Sequence, residues 1–199
     1  EKECDIVICD MLLEKKGQQK YLNCTNFSNV FSSTVSVCNK IFKKEIIKNQ
    51  KFLEGIWYED YNFFIKLCLK KPKIALCQEA FYVYNIHEDS TMNNNNIQKN
   101  LDIIIATEDI LKNGVNNEIA TTLIINHILI DAINRVNFQK SKKKRDVLGK
   151  LNNYVHKYIK NIYKTNEFKN SNWKRKIIIL LNFYKLYKIS NFLLSLKRR

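Results

Sequence analysis

The sequence predicts an α/β half followed by an all-helical half. Three observations predict it: a short β-branched apolar run near the N-terminus, apolar residues at helical spacing through the middle, and the loss of strand-like segments after an asparagine run near residue 97. A buried strand in an α/β sheet reads as a nearly continuous apolar run, whereas a surface helix repeats its apolar residues every three or four positions.

Residues 5–10 (Asp-Ile-Val-Ile-Cys-Asp) carry the strand pattern. Residues 15–20 then read as a turn, and Tyr21-Leu22 as the return strand. Over 35–47, Val37, Ile41, Phe42, Ile46 and Ile47 are spaced as on one side of a helix, with Lys40, Lys43, Lys44 and Lys48 on the wet side. Tyr61, Phe64, Ile65, Cys68 and Leu69 make a further helix, which Pro72 ends because proline cannot continue it. Residues 73–77 and 80–84 read as two strands separated by the polar Gln78-Glu79. The polar segment 87–96 is a loop, so domains are expected over 1–96 and 97–199.

Beyond it, 101–111 and 119–136 are helical, the second apolar over so much of its circumference that it must be largely buried. A helix is expected over 154–163. The last segment, 173–199, reads as one apolar helix with a narrow polar stripe of Asn182, Lys185, Lys188, Asn191 and Ser195.

At 199 residues and 45% hydrophobic, the chain buries a real core, and disorder is excluded as its default state. The net charge of +15 is uneven: from Arg135 onward there are 19 basic residues against two acids, Asp146 and Glu167. That imbalance asks for an anionic partner or surface. Six cysteines without a Cys-x-x-Cys pair sit mostly in apolar runs and point to a reducing compartment, which makes the sequons at Asn23 and Asn26 accidental. No signal peptide is expected from the opening residues given, and no uninterrupted apolar run reaches spanning length. Glycine-rich phosphate loops and Gly-x-Ser-x-Gly are absent, and His87, His127 and His156 are too scattered for a zinc site. His127, inside an apolar helix, reads as a satisfied core histidine.

The chemistry centres on Phe52-Leu-Glu-Gly-Ile-Trp-Tyr-Glu-Asp60. Glu59 and Asp60 fall where a loop enters a helix, and the pair fits two readings. Acids in a first helical turn are stabilised by the helix dipole, by roughly 0.3–1 kcal/mol, with no further role required. The same dipole keeps a carboxylate ionised, as a general base must be. Trp57 and Tyr58 offer flat faces of the kind sugar rings pack against, and Gly55 allows the preceding loop a close approach.

Five segments carry a resemblance: Val37-Cys-Asn-Lys-Ile-Phe-Lys43, then residues 52–60, then Pro72-Lys-Ile-Ala75, then Phe81-Tyr-Val-Tyr84 and His87-x-x-Ser-Thr-Met92. In order and spacing, over roughly residues 1–95, they resemble the second half of bacterial family-two glycosyltransferases of the GT-A fold. The resemblance implies a Rossmann-like GT-A domain and an inverting, nucleotide-sugar-dependent transfer with Asp60 as the general base. It implies Glu59 as a supporting acid, Lys40 meeting acceptor or phosphate charge, and His87, Ser90 and Thr91 near the donor diphosphate. A divalent cation, Mg or Mn, is implied for the whole enzyme, with ligands mostly outside this chain.

Two departures stand out: Cys38 replaces a common Trp, and the donor-binding half with its Asp-x-Asp motif has no counterpart here. The chain is therefore expected to be an acceptor-side fragment or a truncated relative. Its expected partners are a nucleotide-sugar donor, a glycan or glycolipid acceptor of cell-surface polysaccharide assembly, and an anionic membrane surface bound through 173–199. Trp173, Phe183, Tyr184, Tyr187 and Phe192 would form the apolar face, flanked by 174–176 and 197–199. The expected location is cytoplasmic, peripheral at the inner face of the plasma membrane. The alternative is a non-catalytic remnant acting as a membrane-associated or protein-interaction module. Nucleic-acid binding through Tyr154, Tyr158, Tyr163 and Trp173 is disfavoured, because these fall at core-like spacing.

Overall fold

A computed structural model describes residues 3–86 and 96–196. The chain is mixed α/β and divides into two compact units, Glu1–Asn94 and Asn95–Arg199.

In the first unit, the apolar N-terminal run becomes β1 (Ile6–Lys15), longer than the run itself. It turns back into β2 (Gln18–Leu22) through Lys16 and Gly17, both at positive φ (51° and 77°). That is the two-residue turn whose twist matches an antiparallel hairpin. β3 (Lys40–Phe42) also pairs antiparallel with β1, opposite residues 6–8, while β4 (Ile74–Asn85) runs parallel to it over residues 6–14. A strand has two edges, so β1 is central, with β4 on one side and β2 and β3 end to end on the other.

The turn expected over 15–20 narrows to Lys16-Gly17, with Lys15 in β1 and Gln18–Lys20 in β2, and two further sequence expectations change here. Residues 35–47 do not form one helix: they form a loop, β3 and the single-turn α1 (Lys44–Ile47). The apolar spacing misled because Val35, Val37 and Ile41 are β-branched and fit extended backbone at least as well. Asn39 also bonds to β1: its Nδ2 donates to the Cys9 carbonyl at 2.6 Å, and the Cys9 amide donates to the Asn39 carbonyl at 3.0 Å. Lys40 is consequently not on a wet side; it is 8% exposed. The second change concerns Gln78-Glu79, which does not separate two strands. It is a bulge within β4, where the register on β1 jumps from Cys9↔Cys77 to Asp10↔Ala80.

α2 (Glu59–Leu69) packs against this sheet with Tyr61, Phe64, Ile65 and Leu67 buried, alongside Ile6 and Ile8 of β1. It stops at Leu69. Lys71 then sits at φ 55°, its amide donating to the Cys68 carbonyl at 3.0 Å, and Pro72 follows. A left-handed residue after the last turn with proline just beyond is a common helix ending.

Among its described residues the second unit consists of helices joined by turns and loops, without a strand. A 3₁₀ turn (Ile97–Leu101) leads into α3 (Asp102–Leu111). Asn116 caps α4 (Asn117–Phe138), accepting from the Ile119 amide at 2.9 Å. The middle of α4, Ile124–Ala132, is wound as a π-helix, and Ile124, Ile125, Ile128 and Leu129 are fully buried. By length and composition α4 is apolar enough to cross a membrane, yet 67% of its apolar window is buried inside the structure. A central core helix carries that composition without a bilayer.

α5 (Lys144–Tyr158) starts ten residues before the expected helix and ends before Ile162 and Tyr163, which lie in a 3₁₀ turn. After α6 (Asn166–Asn170), the expected single terminal helix is two: α7 (Trp173–Phe183) and α8 (Tyr187–Leu196). The break is a C-terminal cap in which Lys185 takes φ 62°. The Leu186 amide donates to the Leu181 carbonyl at 2.7 Å, and the Lys185 amide to the Asn182 carbonyl at 3.2 Å. This is the double-bonded capping pattern usually built with glycine. All six cysteines are free thiols.

Candidate active site

The loop before α2 sets the geometry of the acid pair. Gly55 turns at φ 73°, yet a Cβ there would meet nothing within 4 Å, so its conformation and not a close approach calls for glycine. Tyr58 then holds φ 68°, ψ 26° immediately before the first turn. A bulky side chain in the left-handed region costs about 1–3 kcal/mol, and such positions concentrate at functional sites. Trp57 and Tyr58 are half-buried, Glu59 is exposed, and Asp60 is half-buried.

Asp60 Oδ2 accepts the Val37 amide at 3.2 Å, which ties the first turn of α2 to the 34–39 loop. Oδ1 has no hydrogen-bond partner among the described residues. Burial raises the carboxyl above its ordinary 3.8; the Val37 amide opposes the rise, the Glu59 charge adds to it, and Lys40 opposes it. The net direction is the reverse of that expected from the helix dipole alone, because desolvation of a half-buried acid outweighs the favourable dipole. A rise toward neutrality makes a stronger base.

Lys40 lies behind this acid. Its ammonium donates to the Thr34 carbonyl at 2.8 Å, the Ser36 carbonyl at 2.5 Å and Asn39 Oδ1 at 3.0 Å, and sits 4.5 Å from the centre of the Phe64 ring. An ammonium has three protons, and all three are used within the chain. Burial pushes the group down to about 8, while the charge of Asp60 acts the other way. The structure therefore gives Lys40 backbone carbonyls to hold, on the loop whose next amide meets Asp60.

Sequence reasoning missed two things. The first is the Val37 amide, which no side-chain pattern announces. The second is Asp10, fully buried on β1: Oδ1 accepts the Cys24 and Thr25 amides at 2.6 and 2.9 Å, and Oδ2 accepts the Tyr21 hydroxyl at 2.5 Å. The same hydroxyl lies 2.9 Å from the carbonyl of the bulged Gln78. Burial would raise the Asp10 carboxyl, but these donors outweigh it and hold it below 3.8, while Tyr21 is pushed up to about 12 by its bond to Asp10. A lone Asp inside an apolar run was the available signal.

The structure brings Asp60, Val37 and Lys40 together, with Glu59, Trp57 and Tyr58 on the adjoining chain. His87, Ser90 and Thr91 lie outside the described residues, as do 197–199. Among the described residues no three His, Cys, Asp or Glu side chains converge to hold a metal ion. Asp10 is committed to its three donors and Asp5 accepts the Lys73 amide, so these two acids do not fit the divalent cation that the resemblance implies. His127 is buried, with Nδ1 3.5 Å from Asp131 Oδ2. Tyr154 is buried and packs its ring 5.1 Å from that of Tyr158.

Compared with known proteins, the chain matches no family model and no curated protein.

Proposed function

We propose that the first unit is the acceptor side of an inverting glycosyltransferase of the GT-A type, with Asp60 as its general base. The observation that carries the reading is the Asp60 carboxylate at the start of α2, with one oxygen fixed by the Val37 amide and its basicity raised by burial. It is joined by the ordered sequence series around residues 37–43, 52–60, 72–75 and 81–84.

The step follows from the chemistry of such a base. Asp60 takes the proton of an acceptor hydroxyl. The oxygen, as it loses that proton, forms a bond to the anomeric carbon of a nucleotide-activated sugar, and the bond from that carbon to the diphosphate breaks with its electron pair leaving on the diphosphate. Attack from the face opposite the leaving group inverts the anomeric centre. The base must lie within hydrogen-bond reach of the hydroxyl, and Val37 and Lys40 hold it for that purpose without touching substrate. Trp57 and Tyr58 would pack an acceptor sugar, and Glu59 would support the base. Donor binding is assigned to residues other than those described here, and no step is routed through a metal. The acceptor would be a glycan or lipid-linked intermediate of cell-surface polysaccharide, met at the inner face of the plasma membrane.

The test is a transfer assay in the protein that joins this unit to a donor-binding half, with the product anomer read by NMR. The proposal expects nucleoside diphosphate release that requires acceptor, and a product configured oppositely to the donor. Retention of configuration overturns it.

A further inference from the structure

The two C-terminal helices keep large apolar side chains on their outer faces, although α7 also buries Ile179 and Phe183. In α7 the inward-facing residues include Asn182, fully buried, whose Nδ2 donates to the Leu129 carbonyl at 2.8 Å and to Asn134 Oδ1 at 2.9 Å. In α8 the buried residue is Ser190. The large apolar side chains point out: Ile189, Phe192, Leu193 and Leu196 follow the i, i+3, i+4, i+7 rule of a single helical face, and all four are exposed. On α7, Trp173 is 67% exposed, and Ile177 lies one turn along on the same side. Of the polar stripe in the sequence only Asn182 enters the core, Asn191 is half-buried and Lys185, Lys188 and Ser195 are exposed, so apolar side chains and lysines share the outer surface. Of the aromatic face expected from sequence, Trp173, Tyr184 and Phe192 are outside, Phe183 is buried and Tyr187 is half-buried.

An apolar surface of this extent on a folded unit marks something that covers it. The charges identify it. From residue 168 to the end of the sequence there is no acid, and Lys174, Lys185 and Lys188 are exposed beside the apolar side chains. Two copies meeting face to face would set cation against cation. Bases of a single-stranded nucleic acid need flat partners, and beside Trp173, Tyr184 and Phe192 the face is made of five aliphatic side chains, Ile177, Leu186, Ile189, Leu193 and Leu196. An anionic bilayer satisfies both halves of the surface, taking the apolar side chains into its acyl region and the lysines at its headgroups. At 11 and 10 residues, α7 and α8 are too short to span and long enough to lie in the plane.

We propose that the outer face of α7 and α8 seats on an anionic lipid bilayer in its plane, with Trp173 and Phe192 inserted on either side of the Tyr184–Lys185 break. The inference does not depend on sugar transfer, and Asp60→Asn leaves it unchanged.

The experiment uses the full chain in a Trp57→Phe background, so that Trp173 is the one tryptophan reporting. It is mixed with vesicles of equal parts phosphatidylglycerol and phosphatidylcholine, with vesicles of phosphatidylcholine alone, and with vesicles brominated on the acyl chains. Expected are co-sedimentation with the anionic vesicles that weakens with added salt, a blue shift of Trp173, and quenching by the brominated chains. Phe192→Ser with Leu193→Ser should weaken partition by about tenfold or more, since each buried side chain contributes to transfer. Both side chains are exposed, so the fold should persist, and an unchanged far-UV circular dichroism spectrum verifies that. No co-sedimentation with the anionic vesicles overturns the proposal. So does a dimer that shields Trp173 without lipid, or binding of single-stranded RNA that shifts Trp173 while anionic vesicles do not.

Discussion

At the residue scale, the first unit contains two carboxylates placed oppositely. Asp10 is supplied with donors and held below the ordinary carboxylate value; Asp60 is desolvated and raised above it. The linkage signs follow. A depressed acid stabilises the fold above its unfolded value near 3.8, and that contribution is lost as pH falls through the lower folded value. Asp10→Asn should therefore unfold more easily at neutral pH, by about 1–3 kcal/mol for the disrupted buried donors. Its deficit relative to wild type should close in denaturant titrations carried below pH 3.8. A raised acid does the reverse: its ionised form costs stability above the folded value. Asn at position 60 can still accept the Val37 amide through its oxygen, so Asp60→Asn should melt at or above the wild-type temperature at neutral pH. A lower melting temperature would place Asp60 among structural acids. Lys40 belongs to the same argument, since three carbonyl-type acceptors compensate its burial. Lys40→Met leaves those acceptors unpaired, and faster hydrogen exchange at the Val37 amide is expected.

At the element scale, the breaks in the two halves use lysine where glycine would be easier. Lys71 after α2 and Lys185 after α7 both sit in the left-handed region. Lys185→Gly should stabilise the second unit by about 0.5–1 kcal/mol in thermal or urea unfolding, because glycine reaches that conformation without steric cost. Unchanged stability would mean that unfolded-chain entropy cancels the gain. The elements that were legible in sequence are those whose pattern is local: the hairpin of β1 and β2, α2 with Pro72 beyond it, and α4 as a buried helix. Those that were not depend on a partner distant in sequence. β3 exists because residues 40–42 meet Ile6–Ile8, and β4 stays continuous because β1 carries it past the Gln78-Glu79 bulge. In the candidate site, the acids at 59 and 60 could be read from spacing. The buried state of Lys40 could not, since a lysine in an apparently amphipathic helix reads as solvated.

At the scale of the whole molecule, each unit has a core of its own: Ile6, Ile8, Tyr61 and Phe64 in one, Ile110, Leu129, Val155 and Ile179 in the other. Residues 96–199 produced alone should give a helical spectrum and a cooperative melt; a broad, non-cooperative loss of signal would show that the second unit needs the first. The two proposals divide the roles: sugar transfer is proposed for the sheet-bearing unit around Asp60, and surface attachment for the helical unit through α7 and α8. The first role is tested most directly by acceptor-dependent transfer in Asp60→Asn and Glu59→Gln, measured with donor affinity in the protein that carries the donor-binding half. The account predicts that Asp60→Asn loses about 10²–10⁴-fold in turnover with donor affinity intact, as removal of a general base does, while Glu59→Gln retains most of its rate. Near wild-type transfer by Asp60→Asn would contradict it.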